Sequence, residues 1–191
     1  IPLIEGENKG VAINKNRLLY ALQDCDLIFI IEDDVEIKNL KFIEKFAESV
    51  CDFASFGPIE SCPFWKIISK ESGVINYTTK INHRKELFYT PGSFTALTKH
   101  ALSKIGGLNC GYLGLGLEHM EWAYRAYKFG LSMDTLDLYK AIDFSDSLSF
   151  FDTPRNLRDE VQSKKNESLY FQLLEDIKPN HDFKQKLEPI V

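Results

Sequence analysis

With 191 residues, 44% of them apolar and 27% charged, the chain has the size and balance of one globular domain with a substantial core. Its net charge of −5 excludes a broad phosphate-neutralising surface, so nucleic acid is not an expected partner. No stretch approaches the roughly 20 apolar residues of a membrane-crossing helix, and neither a transmembrane segment nor a signal peptide is expected.

Residues 1–5 are mostly apolar and read as a strand, followed by a turn at Glu7-Asn8-Lys9-Gly10. From Val11 to Leu22 the apolar positions 11, 12, 18, 19 and 22 predict a helix with Asn14, Lys15 and Arg17 on its opposite, polar face. Asp24 to Asp26 form a polar break. The segment that organises the chain comes next: Leu27-Ile-Phe-Ile-Ile31 runs straight into Glu32, Asp33 and Asp34. So short and isoleucine-rich a run predicts a strand buried on both faces, in the middle of a parallel sheet. Ligands gather at the carboxyl ends of such strands. Adjacent carboxylates there repel one another unless a cation or hydroxyl groups occupy the gap between them.

Leu40, Ile43, Phe46, Ala47 and Val50 predict a second amphipathic helix, with Asn39 as its N-cap. Phe53 to Gly57 is a short strand ended by Gly57-Pro58. Within residues 59–90, the runs 63–69 and 74–79 are strand-like and predict an antiparallel hairpin. After Pro91-Gly92, Ser93 to Thr98 reads as a strand and Lys99 to Ile105 as a helix stopped by Gly106-Gly107. A glycine-rich loop over 108–117 leads to Glu118, which opens a helix running to Phe129 and stopping at Gly130. Residues 131–144 are expected to add one or two edge strands. Residues 145–166 read as a mobile loop, and Leu169 to Ile177 as a last helix ended by Pro179. The alternation of strands and helices marks an α/β sheet.

Cys25, Cys51, Cys62 and Cys110 show no Cys-x-x-Cys spacing, so neither a zinc site nor a disulfide framework follows. Cys25 and Cys51 flank apolar segments and read as small core residues. The default setting is reducing and cytoplasmic, with a peripheral membrane association left open. Because the first residue is Ile1, the chain reads as a processed chain or a fragment.

Three blocks, in order, resemble the GT-A-fold glycosyltransferases, in particular the large inverting family 2. Asn8-Lys-Gly-Val-Ala-Ile-Asn-Lys-Asn16 is similar to the family's Asn-x-Gly-x-x-x-Ala-Arg-Asn helix entry. The buried strand with Glu32-Asp33-Asp34 stands at the place of its Asp-x-Asp-like metal motif. From Gly92 to Gly130, the residues Gly106, Gly107, Leu108, Asn109, Gly114, Gly116, Glu118, His119 and Arg125 match its Gly-Gly-Phe-Asp, Gly-x-Gly-x-Glu-Asp and following arginine. The likeness spans residues 1–145, an expected glycosyltransferase domain, with 146–191 as a polar loop and C-terminal helical extension. It implies an α/β/α sandwich with a mainly parallel mixed sheet, lacking the first β-α-β elements that cradle the nucleotide base. His119 stands where many relatives carry an aspartate.

The resemblance further implies an inverting transferase that moves a sugar from a nucleotide-diphosphate donor, most simply a UDP-sugar, to a hydroxyl of a glycan or other acceptor. Asp34, joined by Asp33, would hold Mn²⁺ or Mg²⁺ against the diphosphate. Lys15, Asn16, Glu32, Asp33 and Gly92 would form the donor side. Trp65, Gly114, Gly116 and Glu118 would form the acceptor side, the glycines permitting close backbone approach. Glu118 and His119 are both candidates for the base, Glu118 slightly ahead because the family keeps an acid there: it sits where a helix N-terminus favours a carboxylate, and a neutral imidazole at His119 can take a proton near neutral pH. Glu121 and Arg125, one helical turn apart, predict a structural ion pair. Trp122, Tyr124 and Tyr127 predict core. Asp143 and Asp146 follow the last predicted strand, where relatives often place a further metal ligand. The stretch from Ser145 to Lys165 reads as a lid over the donor or as an ordinary surface loop. The alternatives are a non-catalytic sugar-binding or scaffold domain of the same fold, and a sugar nucleotidyltransferase; the latter would call for a glycine-rich, lysine-containing phosphate loop that is not visible.

Overall fold

The computed structural model describes residues 10–56, 78–81, 85–88, 92–112, 117–132, 142, 144–151 and 160–181. In chain order these form α1 (Val11–Ala21), β1 (Leu27–Ile31), β2 (Val35–Ile37), α2 (Lys41–Glu48), β3 (Phe53–Phe56), β4 (Thr78–Ile81) and β5 (Lys85–Phe88). They continue with β6 (Phe94–Thr98), α3 (Lys99–Ile105), α4 (Glu118–Lys128), β7 (Leu148–Phe150) and α5 (Glu160–Glu175).

The isoleucine-rich run is β1, and its side chains alternate between two cores. Ile28 and Ile30 are buried with Ala12 and Leu19 of α1, with Ala101, Leu102 and Ile105 of α3, and with Trp122, Ala123 and Ala126 of α4. Leu27, Phe29 and Ile31 pack on the other face against Phe42 and Phe46 of α2, Phe94 and Phe144. Phe29 meets Phe42 and Phe46 edge-on, at ring centroids of 5.2 and 5.7 Å. Each such buried ring contributes roughly 1.5–3 kcal/mol, so the strand that carries the acids is anchored from both sides.

Coverage of both faces is as the sequence implies, but the expected mainly parallel sheet is not found. β1 pairs antiparallel with β6, Ile31 lying opposite Phe94, and β6 pairs antiparallel with β3, giving the order β1-β6-β3. β2 with β7, and β4 with β5, are antiparallel too. Among the described residues the parallel contact is an isolated bridge between Gly106 and Asn180. The physical reason is plain: an apolar run specifies that both faces are covered, not which way the neighbours run. β1 and β3 do point the same way, with α2 between them in sequence, but β6 is inserted between them in the opposite sense.

Several local expectations also shift. The buried stripe of α1 is Ala12, Lys15, Asn16 and Leu19, while Leu18 and Tyr20 are exposed. Two polar residues therefore occupy the inward face. The N-cap of α2 is Leu40 rather than Asn39, although Asn39 Oδ1, one residue earlier, accepts from Lys41 N at 3.0 Å. Cys51 is buried but Cys25 is exposed. The hairpin is β4–β5, so the predicted run at 74–79 only overlaps its first strand, and the run at 63–69 lies outside the described residues. The stretch read as a mobile loop contains β7, tied to β2, and α5 starts well before Leu169. Tyr170 and Leu169 of α5 pack with Met120 and Tyr112. Among the described residues no helix is long and apolar enough to cross a membrane.

Candidate active site

Where β1 ends the chain turns at once. Val35 N donates to Glu32 O at 3.2 Å, which places Asp33 and Asp34 at the middle of a tight turn. Glu32 N donates to Ser93 O at 2.9 Å, and Phe151 N donates to Asp34 O at 2.8 Å. The acid turn is thus held by the start of β6 and by the residue that follows β7. Because β6 is antiparallel to β1, its first residues lie at the carboxyl end of β1. That delivers Gly92 and Ser93 to the acids.

Ser93 was not legible as a site residue, although Pro91-Gly92-Ser93 is a turn signal beside a strand start. Its Oγ donates to Asp34 Oδ2 at 3.3 Å. The other carboxylate oxygen, Asp34 Oδ1, is buried and has no hydrogen-bond partner among the described residues. Burial, followed by the charge of Glu32 and to a lesser degree that of Asp33, pushes the Asp34 carboxyl above its ordinary value, against the opposing hydrogen bond from Ser93. Asp33 is exposed on the same turn.

Lys15 reaches this turn from the buried stripe of α1. Its Nζ lies 2.5 Å from Glu32 Oε1 and donates to Gly92 O at 3.4 Å. Gly92 in turn abuts the imidazole of His119: a Cβ at position 92 would sit 3.0 Å from Nδ1 and 3.1 Å from Cγ. The same Nδ1 is 3.4 Å from Oε1 of Glu118. Lys15, Glu32, Asp34, Gly92, Ser93, Glu118 and His119 therefore form one connected cluster, drawn from α1, the end of β1, the start of β6 and the start of α4.

Glu118 is only 3% exposed. Burial alone would raise its pKa, but the hydrogen bond and charge of His119, the charge of Lys15 and a backbone hydrogen bond outweigh it, and the carboxyl is lowered to about 2. Leu117, immediately before, has φ 70°, the one described non-glycine residue in the left-handed region. Such a conformation costs about 1–3 kcal/mol and is held here by the surrounding packing.

Other predicted site residues have different surroundings. Asn16 is fully buried and bound to the backbone of the loop after α3: Nδ2 donates to Leu108 O and Oδ1 accepts from Leu108 N, both at 2.8 Å. Gly106, Gly107 and Leu108 are held from α4 as well, Trp122 Nε1 donating to Gly106 O at 2.8 Å and Arg125 Nη1 to Gly107 O at 2.7 Å. Arg125 is paired through Nε and Nη2 with both oxygens of Glu121, and the pair is buried, as expected of a structural ion pair. Trp122 is core, Tyr124 is half-buried, and Tyr127 is exposed rather than core. Asp146 bonds to Lys45 Nζ at 2.6 Å. Trp65, Gly114, Gly116 and Asp143 lie outside the described residues.

Among the described residues no group of three or more His, Cys, Asp or Glu side chains is placed to hold a metal ion. The fit of a cation rests instead on Asp34 Oδ1, a buried oxygen without a partner among the described residues, on a carboxyl whose charged form is disfavoured by burial and then by Glu32. A cation of the Mg²⁺ type suits such a place, since it commonly takes one or two carboxylates plus water and ligand phosphates rather than a full protein cage. Compared with protein-family models, curated proteins and solved structures, the chain finds no significant match.

Proposed function

We propose that the chain is an inverting glycosyltransferase that moves a sugar from a nucleoside-diphosphate donor, most simply a UDP-sugar, to an acceptor hydroxyl. The observation that supports this best is the meeting of two halves far apart in sequence. The strand-end acids Glu32 and Asp34 and the helix-start pair Glu118–His119 join through Lys15 and Gly92.

Asp34 and Asp33 would hold Mn²⁺ or Mg²⁺. When bound, that ion neutralises the departing diphosphate as a Lewis acid. Glu32, paired with Lys15, is suited to accept hydrogen bonds from donor hydroxyls. Of the two candidate bases, His119 is the better. Glu118 is buried, and a protonated His119 and the charge of Lys15 hold its carboxyl low, so that its carboxylate can orient the imidazole through Nδ1. Nε2 of His119 then takes the acceptor's proton. The acceptor oxygen bonds to the anomeric carbon while the carbon–phosphate oxygen bond breaks, the nucleoside diphosphate leaving with the electron pair. In this arrangement His119 is the base and Glu118 the residue that positions it.

Release of UDP from UDP-sugars by wild type, His119→Ala and Glu118→Gln tests the reading. The expected result is a fall of about 10²–10⁴-fold in kcat for His119→Ala, and for Glu118→Gln a smaller fall with an altered pH profile. Near-full activity in His119→Ala would remove it as the base. Wild-type protein that folds but neither binds nor turns over a nucleotide sugar would leave the non-catalytic sugar-binding reading in its place.

A further inference from the structure

The antiparallel register of β2 and β7 carries on one step beyond the strands, into the acid turn. Val35 lies opposite Phe150 and Glu36 opposite Ser149. Asp34 therefore falls opposite Phe151, and Phe151 N donates to Asp34 O at 2.8 Å. Residues directly opposed in such a ladder project from the same face, with Cβ atoms about 4.5–5.5 Å apart. Ser149 and Glu36 show that projection two residues along, Ser149 Oγ donating to Glu36 Oε2 at 2.6 Å. The pair between them, Val35 and Phe150, packs the other way, with Phe94 and Phe144 in the core. Phe151 thus stands on the outer face beside the Asp34 side chain, and it is 57% exposed. Single exposed rings are ordinary on a protein surface. This one is tied by its own backbone to the residue whose Oδ1 is buried with no partner among the described residues.

We propose that Phe151 is the stacking platform for the donor's nucleobase, fixing the nucleoside while Asp34 takes up the diphosphate. The assignment rests on the transferase reading. The acid turn is held from two directions, Glu32 by Ser93 and Asp34 by Phe151. The Ser93 branch leads through Gly92 to His119, where the acceptor is activated. The transferred sugar lies on that branch, between acceptor and diphosphate. The group beyond the diphosphate, on the Phe151 branch, is the nucleoside. A flat pyrimidine presents a π-face that an aromatic side chain can cover without any hydrogen-bond donor. Leu148 and Phe150 are packed in the core behind Phe151, so the ring is offered from an anchored strand.

The test is calorimetric titration of UDP, UDP-glucose and pyrophosphate, each with saturating Mn²⁺, into wild type, Phe151→Ala, Phe151→Leu and Phe151→Trp. The expected result is a loss of about 5–150-fold in UDP affinity in Phe151→Ala, the range for one base stacked on one ring. Phe151→Trp should restore it, and pyrophosphate affinity should stay within about twofold of wild type throughout. Phe151→Leu keeps apolar bulk without a ring, should lose most of the same affinity, and serves alone should Phe151→Ala not fold. Unchanged UDP affinity in Phe151→Ala and Phe151→Leu overturns the proposal. So does an equal loss for UDP and pyrophosphate, which would mean that the substitution disturbs the acid turn. A loss confined to UDP-glucose would put the ring against the sugar and overturn it as well. Those three results leave the transferase reading in place, whereas wild type that binds no Mn²⁺·UDP removes that reading and this assignment together.

Discussion

Gly106 gives the sharpest test of how the helix-start half of the cluster is held. It has φ 71° and ψ −168°, a region open essentially to glycine alone. A Cβ there would lie 2.0 Å from the backbone oxygen of Asn180 and 2.3 Å from its carbon. In Gly106→Ala the backbone strain costs about 1–3 kcal/mol. Relieving the clash also pulls apart two backbone hydrogen bonds, Asn180 N to Ile105 O at 2.9 Å and Gly107 N to Asn180 O at 3.2 Å. Each is worth about 1 kcal/mol, for a total of roughly 3–5 kcal/mol. For a chain of this size that corresponds to a fall in Tm of about 6–20 °C. Gly130→Ala is the control: Gly130 also has positive φ, 68°, but a Cβ there meets nothing within 4 Å. It should cost about 1–2 kcal/mol from conformation alone. Denaturant unfolding of both variants measures the difference directly. Equal costs for the two would refute the close approach of Gly106 to Asn180, and with it the account of how the residues beyond α5 brace the loop before α4.

Other substitutions probe the remaining parts. Arg125→Met leaves Glu121 charged and buried without its partner and should destabilise by about 3–5 kcal/mol in denaturant unfolding, with Glu121→Gln added in the double variant returning part of that loss. Asn16→Ala strips the buried Leu108 N–H of its acceptor and should cost about 1–3 kcal/mol by the same measurement. Glu118, lowered from 4.5 to about 2, contributes roughly 3 kcal/mol of stability that is present above the unfolded value and lost as pH falls toward 2. Stability of wild type against Glu118→Gln, measured from pH 7 down to pH 2, should converge over that window. Asp34 has the opposite sign: its raised pKa makes the ionised form a liability, so Asp34→Asn should be the more stable protein at pH 7 and lose that advantage on acidification.

Much of the candidate site's described part was legible because acids and helix starts have direct signals. The apolar run into Glu32-Asp33-Asp34 announced a strand end loaded with carboxylate, and Glu118 stood where a helix had to begin. The Glu121–Arg125 pair followed from spacing alone. What could not be read was what the tertiary fold decides. Lys15 was placed on the polar face of α1 because helical periodicity counts apolar residues, and a stripe of Ala12, Lys15, Asn16 and Leu19 is half polar. Its inward direction depends on Glu32 and Gly92 waiting at the other end. Ser93 reached Asp34 only because β6 runs antiparallel to β1, and nothing in five apolar residues encodes a neighbour's direction. The pairing of β2 with β7 was hidden for a similar reason, since three-residue strands carry almost no periodicity.

Calorimetric titration of UDP into the protein with saturating Mn²⁺, repeated without metal and with Asp34→Asn, tests the central claim most directly. The expected binding requires the metal and disappears in Asp34→Asn, while the variant stays folded. UDP binding that is equally strong without metal, or unchanged when Asp34 is neutralised, would contradict it.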